Sequence, residues 1–475
     1  MVGMAMGKRG DEQESLFVAH HQLRSQSHPF YRELNRKLND KAFDRFAEKL
    51  CGKFYARKVG RPGLAPGVYF RALLVGYFEG IDSERGIAWR IGDSLSLRDF
   101  LGIPAGKVPA DHSTLSRTRR LIDMETHQVI FNWVLGVLDE EGLIKGRTIG
   151  VDATTLEANA AMRSIVRRDD GRGYQDFLKD LAKASGITTP TREDLARLDR
   201  KRKKKGSNDE WTNPNDPDAQ ITKMKDGRTH LAHKQEHAVD MDTGAIVAVT
   251  IQGGAQGDTS TVTTTVAAAE ENLDDAREHA GENSIQNACV EEVVADKGYH
   301  SKMVLLALRM EGLRTYISEP RRGRQHWDGQ EVERDVVYGN RRRIRGARGK
   351  SLMRDRGELI ERTFAHTLET GGMRRTHLRG HENIAKRMLI HIAGFNLGLL
   401  MRKRFGVGKP RCLQGRSAAL WAAFLALFDR IVGLVGLAGA IDAAFSPPRC
   451  GHPLRTASSW TSGGGYRVLP FTTGC

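Results

Sequence analysis

Two short runs of β-branched and small apolar residues, each closed by an aspartate, constrain this chain more than any other feature. The first lies in Gly146–Asn159 (GRTIGVDATTLEAN), where Ile149, Gly150 and Val151 lead into Asp152 and a Thr-Thr-Leu-Glu tail keeps polar and apolar residues alternating. That pattern reads as a half-buried strand with one carboxylate near its middle. The second lies in CVEEVVADKGYHS, where Val290 to Ala295 form an apolar strand ending at Asp296. An acid on an apolar strand is costly to desolvate unless a cation, a donor or a metal meets it. Alone, Asp152 reads equally well as a strand end facing solvent. Together, two adjacent strands would present the two carboxylates side by side.

The 475 residues, 39% of them hydrophobic, can bury a core and exceed what one domain needs. Lys+Arg 74 against Asp+Glu 58 leaves +16 at pH 7, which favours a polyanionic partner, nucleic acid ahead of a membrane surface. The 5 cysteines are scattered and form no CxxC pair, so neither a disulfide framework nor a zinc knuckle is indicated. With no secretory signal visible, a reducing, cytoplasmic setting is expected. Between Ser417 and Phe445 two apolar runs are split by Asp429 and Arg430; each is too short to span a bilayer, so a packed or self-associating helix is expected there rather than a membrane span.

Taken in order, residues 1–27 read as a flexible start and 28–140 as an all-α region. Tyr31, Leu34, Leu38, Phe43, Phe46, Leu50 and Phe54 recur at helical intervals among Arg and Lys. Pro62, Pro66 and Gly67 open a helix from about Val68 to Glu79, Asp82-Ser83 can cap the next, and Ser113 or Asp111 can cap a helix carrying Leu115, Arg119 and Leu121. Short basic helices suit a helix-turn-helix DNA reader, and they suit an ordinary bundle with solvated charges equally. A polar insertion at about 163–230, containing RKRKKK at 200–205, interrupts whatever Asp152 belongs to.

From Leu231 the period becomes two, and Asp242-Thr243-Gly244 joins two strands as a hairpin. His233, Glu236 and His237 spell HxxEH, a zinc-peptidase spacing on a helix; on a strand Glu236 points away from the two histidines, which defeats that reading. Asp258 is expected to cap the helix that runs to Ala280, with a lesser chance of lying near the active site. Ser301 opens a further helix before a strand at Arg314–Ser318, a βαβ-like step. A long helix from about Leu352 sets Leu359, Ile360, Phe364 and Leu368 on one face, with Glu361 near it.

Two carboxylates on strands and one on a helix are what a two-metal phosphoryl-transfer site requires, with Mg²⁺ ions roughly 3.5–4 Å apart sharing a bridging acid. The blocks VDATTLEAN, ADKGYHS and LIERTFAHTLETGGMRRTHLRGHEN, preceded by SERGIAWRIGDSLSLRDFLGI and DHSTLSRTR, closely resemble the DDE transposases of bacterial insertion sequences, from about Pro62 to Arg404. The resemblance implies an α/β fold: an RNase H-like mixed sheet flanked by helices over 145–405, a β-containing insertion, an all-α N-terminal DNA-binding domain, and an apolar helical segment with a disordered tail over 406–475. It implies Asp152, Asp296 and Glu361 as catalytic acids and ligands of two Mg²⁺ ions, with Mn²⁺ as substitute. Asp152 would be the bridging ligand, and Glu358 and Glu369 compete with Glu361.

The resemblance further implies that Lys297, Tyr299, Arg362, Arg374, Arg375 and Arg379 contact double-stranded DNA, both transposon ends and target, in a homodimeric synaptic complex. Many relatives carry an Arg four residues before the Glu and a Lys seven after it. Here Gly357 and Leu368 stand at those positions, and Arg356, Arg374 or Arg375 could substitute. The competing readings are a DNA-binding protein that has lost catalysis and an RNase H-like nuclease that cleaves without joining.

Overall fold

The structure, a computed structural model, describes residues 27–56, 62–104, 106–202, 207–224, 227–284, 289–321, 323, 325–413 and 427. The expected flexible start, Lys203–Lys205, the apolar pair within Ser417–Phe445 and the C-terminal tail lie outside the described residues, apart from residue 27 at the end of the start and residue 427 within the pair. The described residues up to 413 belong to one compact unit.

The N-terminal region is helical: α1 (Pro29–Asp40), α2 (Phe43–Cys51), α3 (Pro66–Glu79), α4 (Glu84–Gly92), α5 (Leu95–Leu101), α6 (His112–Leu121) and α7 (Met124–Glu140). The starts follow local chemistry. Pro66 occupies the first turn of α3, where its missing N–H costs nothing. Ser83, Ser94, Asp111 and Asp123 each accept a backbone N–H three residues on, from Gly86, Leu97, Thr114 and Thr126. The run from Tyr31 to Phe54, periodic enough to read as one segment, is broken by Ala42 at φ 51, which separates α1 from α2.

Apolar on all sides, α3 is buried along nearly its whole length. Its Arg71 is fully buried, donating from Nε and Nη2 to the Asp44 carboxylate at 3.0 and 2.9 Å and from Nη1 and Nη2 to Asn35 and Asn39.

The central sheet is mixed. Strand β1 (Thr148–Glu157) lies between β5 (Thr229–Asp240), antiparallel to it, and β7 (Glu292–Ala295), parallel to it; β8 (Arg314–Ile317) continues parallel beyond β7. The far edge of β5 is shared by β4 (Gln220–Lys223) and β6 (Ile246–Gly253), both antiparallel. Asp240 fastens the hairpin to the entry of β1, accepting from Lys145 and Gly146 backbone through one oxygen and from Asp242 and Thr243 through the other. The insertion holds the short pair β2 (Val166–Arg167) and β3 (Trp211–Thr212), with α8 (Tyr174–Ala184) and α9 (Arg192–Lys201). Its small core is built on Trp211, against which Tyr174 and Phe177 pack at 5.0 and 5.4 Å.

One face of the sheet is covered by α10 (Asp258–Ala280), which packs on β5 and β6 and on α7. The βαβ step is formed by β7, α11 (Lys302–Met310) and β8; then come α12 (Glu331–Arg345) and α13 (Ala347–Phe364), which crosses β1 and β7 on the other face. The last helix, α14 (His381–Phe405), packs on α3, α7 and β6. Asp216 and Asp218 of the insertion accept the N–H groups of Gly380 and His381 at its start. The span His381–Leu413 is long and apolar enough to cross a membrane by length and composition, but 89% of its apolar window is buried inside the protein, which makes it a core helix.

Two buried histidines give the fold an acid-labile element. His127 donates from Nδ1 to the Asp123 carbonyl and accepts the Tyr69 hydroxyl at Nε2. Thr363 donates to the Ile360 carbonyl, so its hydroxyl accepts from His237 Nδ1, leaving Nε2 to accept from Gln235. Both rings are therefore neutral, and burial lowers their pKa to about 4 and about 3. A depressed folded-state pKa means that the stability is intact above the unfolded value near 6.5 and is lost as pH falls below it, because only the unfolded chain takes up the proton there. Denaturant titrations should show each histidine removing about 2–3 kcal/mol between pH 7.5 and 4.5, and His127→Gln should flatten that slope. An unchanged slope in His127→Gln would count against the assignment.

Candidate active site

The parallel register of β1 and β7 pairs Val151 with Ala295, so Asp152 and Asp296 follow at matching positions on adjacent strands. On β1, Gly150 and Asp152 face α13, while Ile149 and Val151 face the core beneath. A Cβ at Gly150 would meet Met241 Sδ at 2.4 Å and Ile360 Cδ1 at 3.0 Å, so glycine there lets α13 sit close to the strand. Asp152 accepts from Arg356 Nη1 through Oδ2 at 2.9 Å and from the Ala153 N–H through Oδ1 at 2.8 Å. Burial pushes its carboxyl pKa up against the pull of Arg356, and the Asp296 charge adds to the rise. Asp296 caps a short turn, Lys297–Tyr299, its Oδ1 accepting the Gly298 N–H at 2.7 Å.

Arg356, Ile360 and Thr363 form the stripe of α13 that faces the sheet, and Phe364 anchors the helix end by stacking on His237 at 4.3 Å. Glu361 follows Ile360 by one residue, about 100° around the helix, and is exposed. Glu358 is paired with Arg362, and Glu369, at the end of the π-turn Ala365–Glu369, with Arg374. Among the described residues no three His, Cys, Asp or Glu side chains are grouped so as to hold a metal ion. Asp152 and Asp296 supply hard oxygen donors of the kind Mg²⁺ takes, with the Arg356 guanidinium already on one of them.

The residues expected at DNA separate into two groups. Lys297, Arg362, Arg374, Arg375 and Arg379 are exposed. Arg375 and Arg379 line a cleft with Asn159, and Arg379 with Asn159 also lines a second, where Arg120 of α6 and His377 join them. Tyr299 must be corrected: it is fully buried, and its hydroxyl donates to Glu236 at 2.7 Å, so it offers nothing to DNA. Burial and the Glu236 charge hold its phenol far above the ordinary range, keeping the proton in place.

Asp258 is corrected as well. Gly257 is the cap of α10, and Asp258, the first residue of the helix, places Oδ1 at 2.7 Å from Lys234 Nζ. His233, Glu236 and His237 lie on β5, with His233 on Asp216 and Glu236 turned to α10, so the HxxEH spacing forms no common site. What the sequence reading missed was Lys234 and Glu236 as partners of the Asp296 turn. Little in the sequence signalled them, since β5 reads THLAHKQEHAVD and its two charges stand among histidines and a glutamine; only the packing of α10 on the strand buries them.

Residues 18–121, which span α1 to α6, match the model of the family described as "Transposase domain (DUF772)". No curated protein and no solved structure matches the chain. The match supports a transposase family, and with it DNA as the partner and a DNA-cleaving or DNA-transferring enzyme.

Proposed function

We propose that the chain is a DDE transposase of the insertion-sequence kind, with an RNase H-like core, that cuts transposon ends and joins their 3′-hydroxyls to target DNA. The observation that carries this reading is the parallel β1–β7 register, which sets Asp152 and Asp296 at matching positions on two neighbouring strands in the middle of the sheet. The transposase-domain match in the helical region and the mixed sheet flanked by helices point the same way.

Asp152 and Asp296 would hold Mg²⁺, with Glu361 as third acid; the bound metal supplies charge neutralisation and activates the attacking water or 3′-hydroxyl. Arg356 neutralises Asp152 through Oδ2 and would have to release that oxygen for the carboxylate to serve as a ligand. Lys297, Arg375 and Arg379 would orient the backbone by holding phosphates, which positions the strand without reading bases. Glu361 is exposed, about 100° around α13 from Ile360, and would reach the pair only from a different seating of this helix. Since the three acids are not grouped, a DNA-binding protein without catalysis is the second reading.

The test uses the full chain, Mg²⁺ and linear DNA carrying the inverted repeats that flank the reading frame. Free 3′-hydroxyl ends at the repeat boundary, and their joining to a second duplex, are expected from a dimeric complex of two ends. Cleavage without joining would replace the reading with a nuclease, and binding without cleavage with the non-catalytic protein.

A further inference from the structure

Two segments that the proposed chemistry leaves unused, the interior of β5 and the start of α10, meet beneath the Asp296 turn. Lys234, 5% exposed at its side chain, donates from Nζ to Asp258 Oδ1 at 2.7 Å and Thr261 Oγ1 at 2.8 Å, and lies 3.4 Å from Glu236 Oε1. Glu236, fully buried, accepts from Tyr299 Oη at 2.7 Å, from Thr261 Oγ1 at 3.0 Å and from Thr265 Oγ1. The turn is thus held at two points. Tyr299 is tied to Glu236, and Gly298 packs so closely on Asp258 that a Cβ there would lie 2.5 Å from Asp258 Oδ2 and 3.0 Å from Asp296 Oδ1. Lys234 joins both holding carboxylates.

Two buried or half-buried acids around one lysine are a poor way to gain stability, because desolvation consumes most of the attraction, and apolar residues of similar volume would do as well. What such a cluster does supply is fixed geometry. Glu236 holds the side chain of Tyr299 and Asp258 packs against Gly298, three and two residues after Asp296, and Asp296 Oδ1 is bonded to the Gly298 N–H. We propose that Lys234, Glu236 and Asp258 are positioning residues for Asp296: they lock the Lys297–Tyr299 turn so that the Asp296 carboxylate stands ready beside Asp152 for a divalent cation. This rests on the functional reading above, and it makes Asp258, Lys234 and Tyr299 determinants of metal affinity without contact to DNA or metal.

Asp258→Asn keeps the shape and removes the charge facing Lys234, and Tyr299→Phe keeps the ring and removes the bond to Glu236. Both are compared with wild type by calorimetric Mn²⁺ titration of the DNA-free protein, by the Mg²⁺ concentration for half-maximal cleavage, and by hydrogen exchange of the 296–300 segment. Metal affinity is expected to fall about 10- to 100-fold, the loss typical when a group supporting a ligand is removed. Exchange in the turn should rise, while the cleavage rate at saturating metal stays near wild type.

Unchanged metal affinity in both variants overturns the proposal, even where exchange rises, since the cluster would then be merely structural. If wild type binds Mn²⁺ but cleaves no DNA, the functional reading fails and the titration still decides the positioning role. If one variant does not fold, the other decides it.

Discussion

Asp152→Asn is expected to abolish Mg²⁺-dependent cleavage of repeat-end DNA, by about three orders of magnitude or more, while DNA binding persists. The asparagine keeps the volume on β1 and one oxygen for the Ala153 N–H, so the strand and its register should survive. What is lost is a negative donor, and a metal's stabilisation of the transferring phosphate is worth several kcal/mol, at about 1.4 kcal/mol per tenfold in rate. Removing a carboxylate from a basic chain should strengthen phosphate contact slightly, so binding and cleavage move in opposite directions. Gel-shift and cleavage assays on one preparation, with a melting curve as fold control, read this out. Retained cleavage in the variant would remove Asp152 from the mechanism. Glu361→Gln tests the third acid in the same way, and an unaffected rate would hand that role to another residue.

The second large effect is on the fold. Arg71→Met is expected to cost about 3–5 kcal/mol, because it leaves the Asp44 carboxylate and the Asn35 and Asn39 side chains without the cation that satisfies them inside the helical region. The double variant Arg71→Met/Asp44→Leu should recover part of the loss, since replacing the ion pair together with apolar groups removes the stranded charge. Urea denaturation measures both. Equal stability of the two variants would show that the Asp44 carboxylate costs nothing once Arg71 is gone, and an Arg71→Met variant as stable as wild type would show that α3 gains nothing from this pairing.

Much of the site was readable because strands impose a period of two on their residues. Ile149–Val151 and Val293–Ala295 are short apolar runs followed by acids, and the parallel pairing of β1 with β7, which begins at Glu292 rather than Val290, sets those acids at matching positions. Helix starts at Ser83 and Asp111 were equally local, since a side chain three residues from an orphan N–H settles them. Asp258 misled for the same local reason. It stands one residue past the cap, and a buried lysine from another element claims its carboxylate. Tyr299 misled because the resemblance carried a DNA contact onto its position, whereas its side chain is buried with the hydroxyl on Glu236. For Glu361, the sequence places it beside the apolar face of its helix, and the structure turns it outward while Arg356 faces Asp152.

By itself the sequence determined the strand acids Asp152 and Asp296, the helical N-terminal region with its caps, the hairpin turn at Asp242-Thr243-Gly244 and the basic character that favours DNA. Each of these depends on neighbours within a few residues or on summed composition. Only the tertiary structure decided that Arg356 sits on Asp152, that Tyr299 is interior, and that Lys234, Glu236 and Asp258 gather beneath the Asp296 turn. Those pairings join residues far apart in the chain. They are set by which faces of β5, α10 and α13 come together, and by the need of every buried charge to find a partner once water is gone.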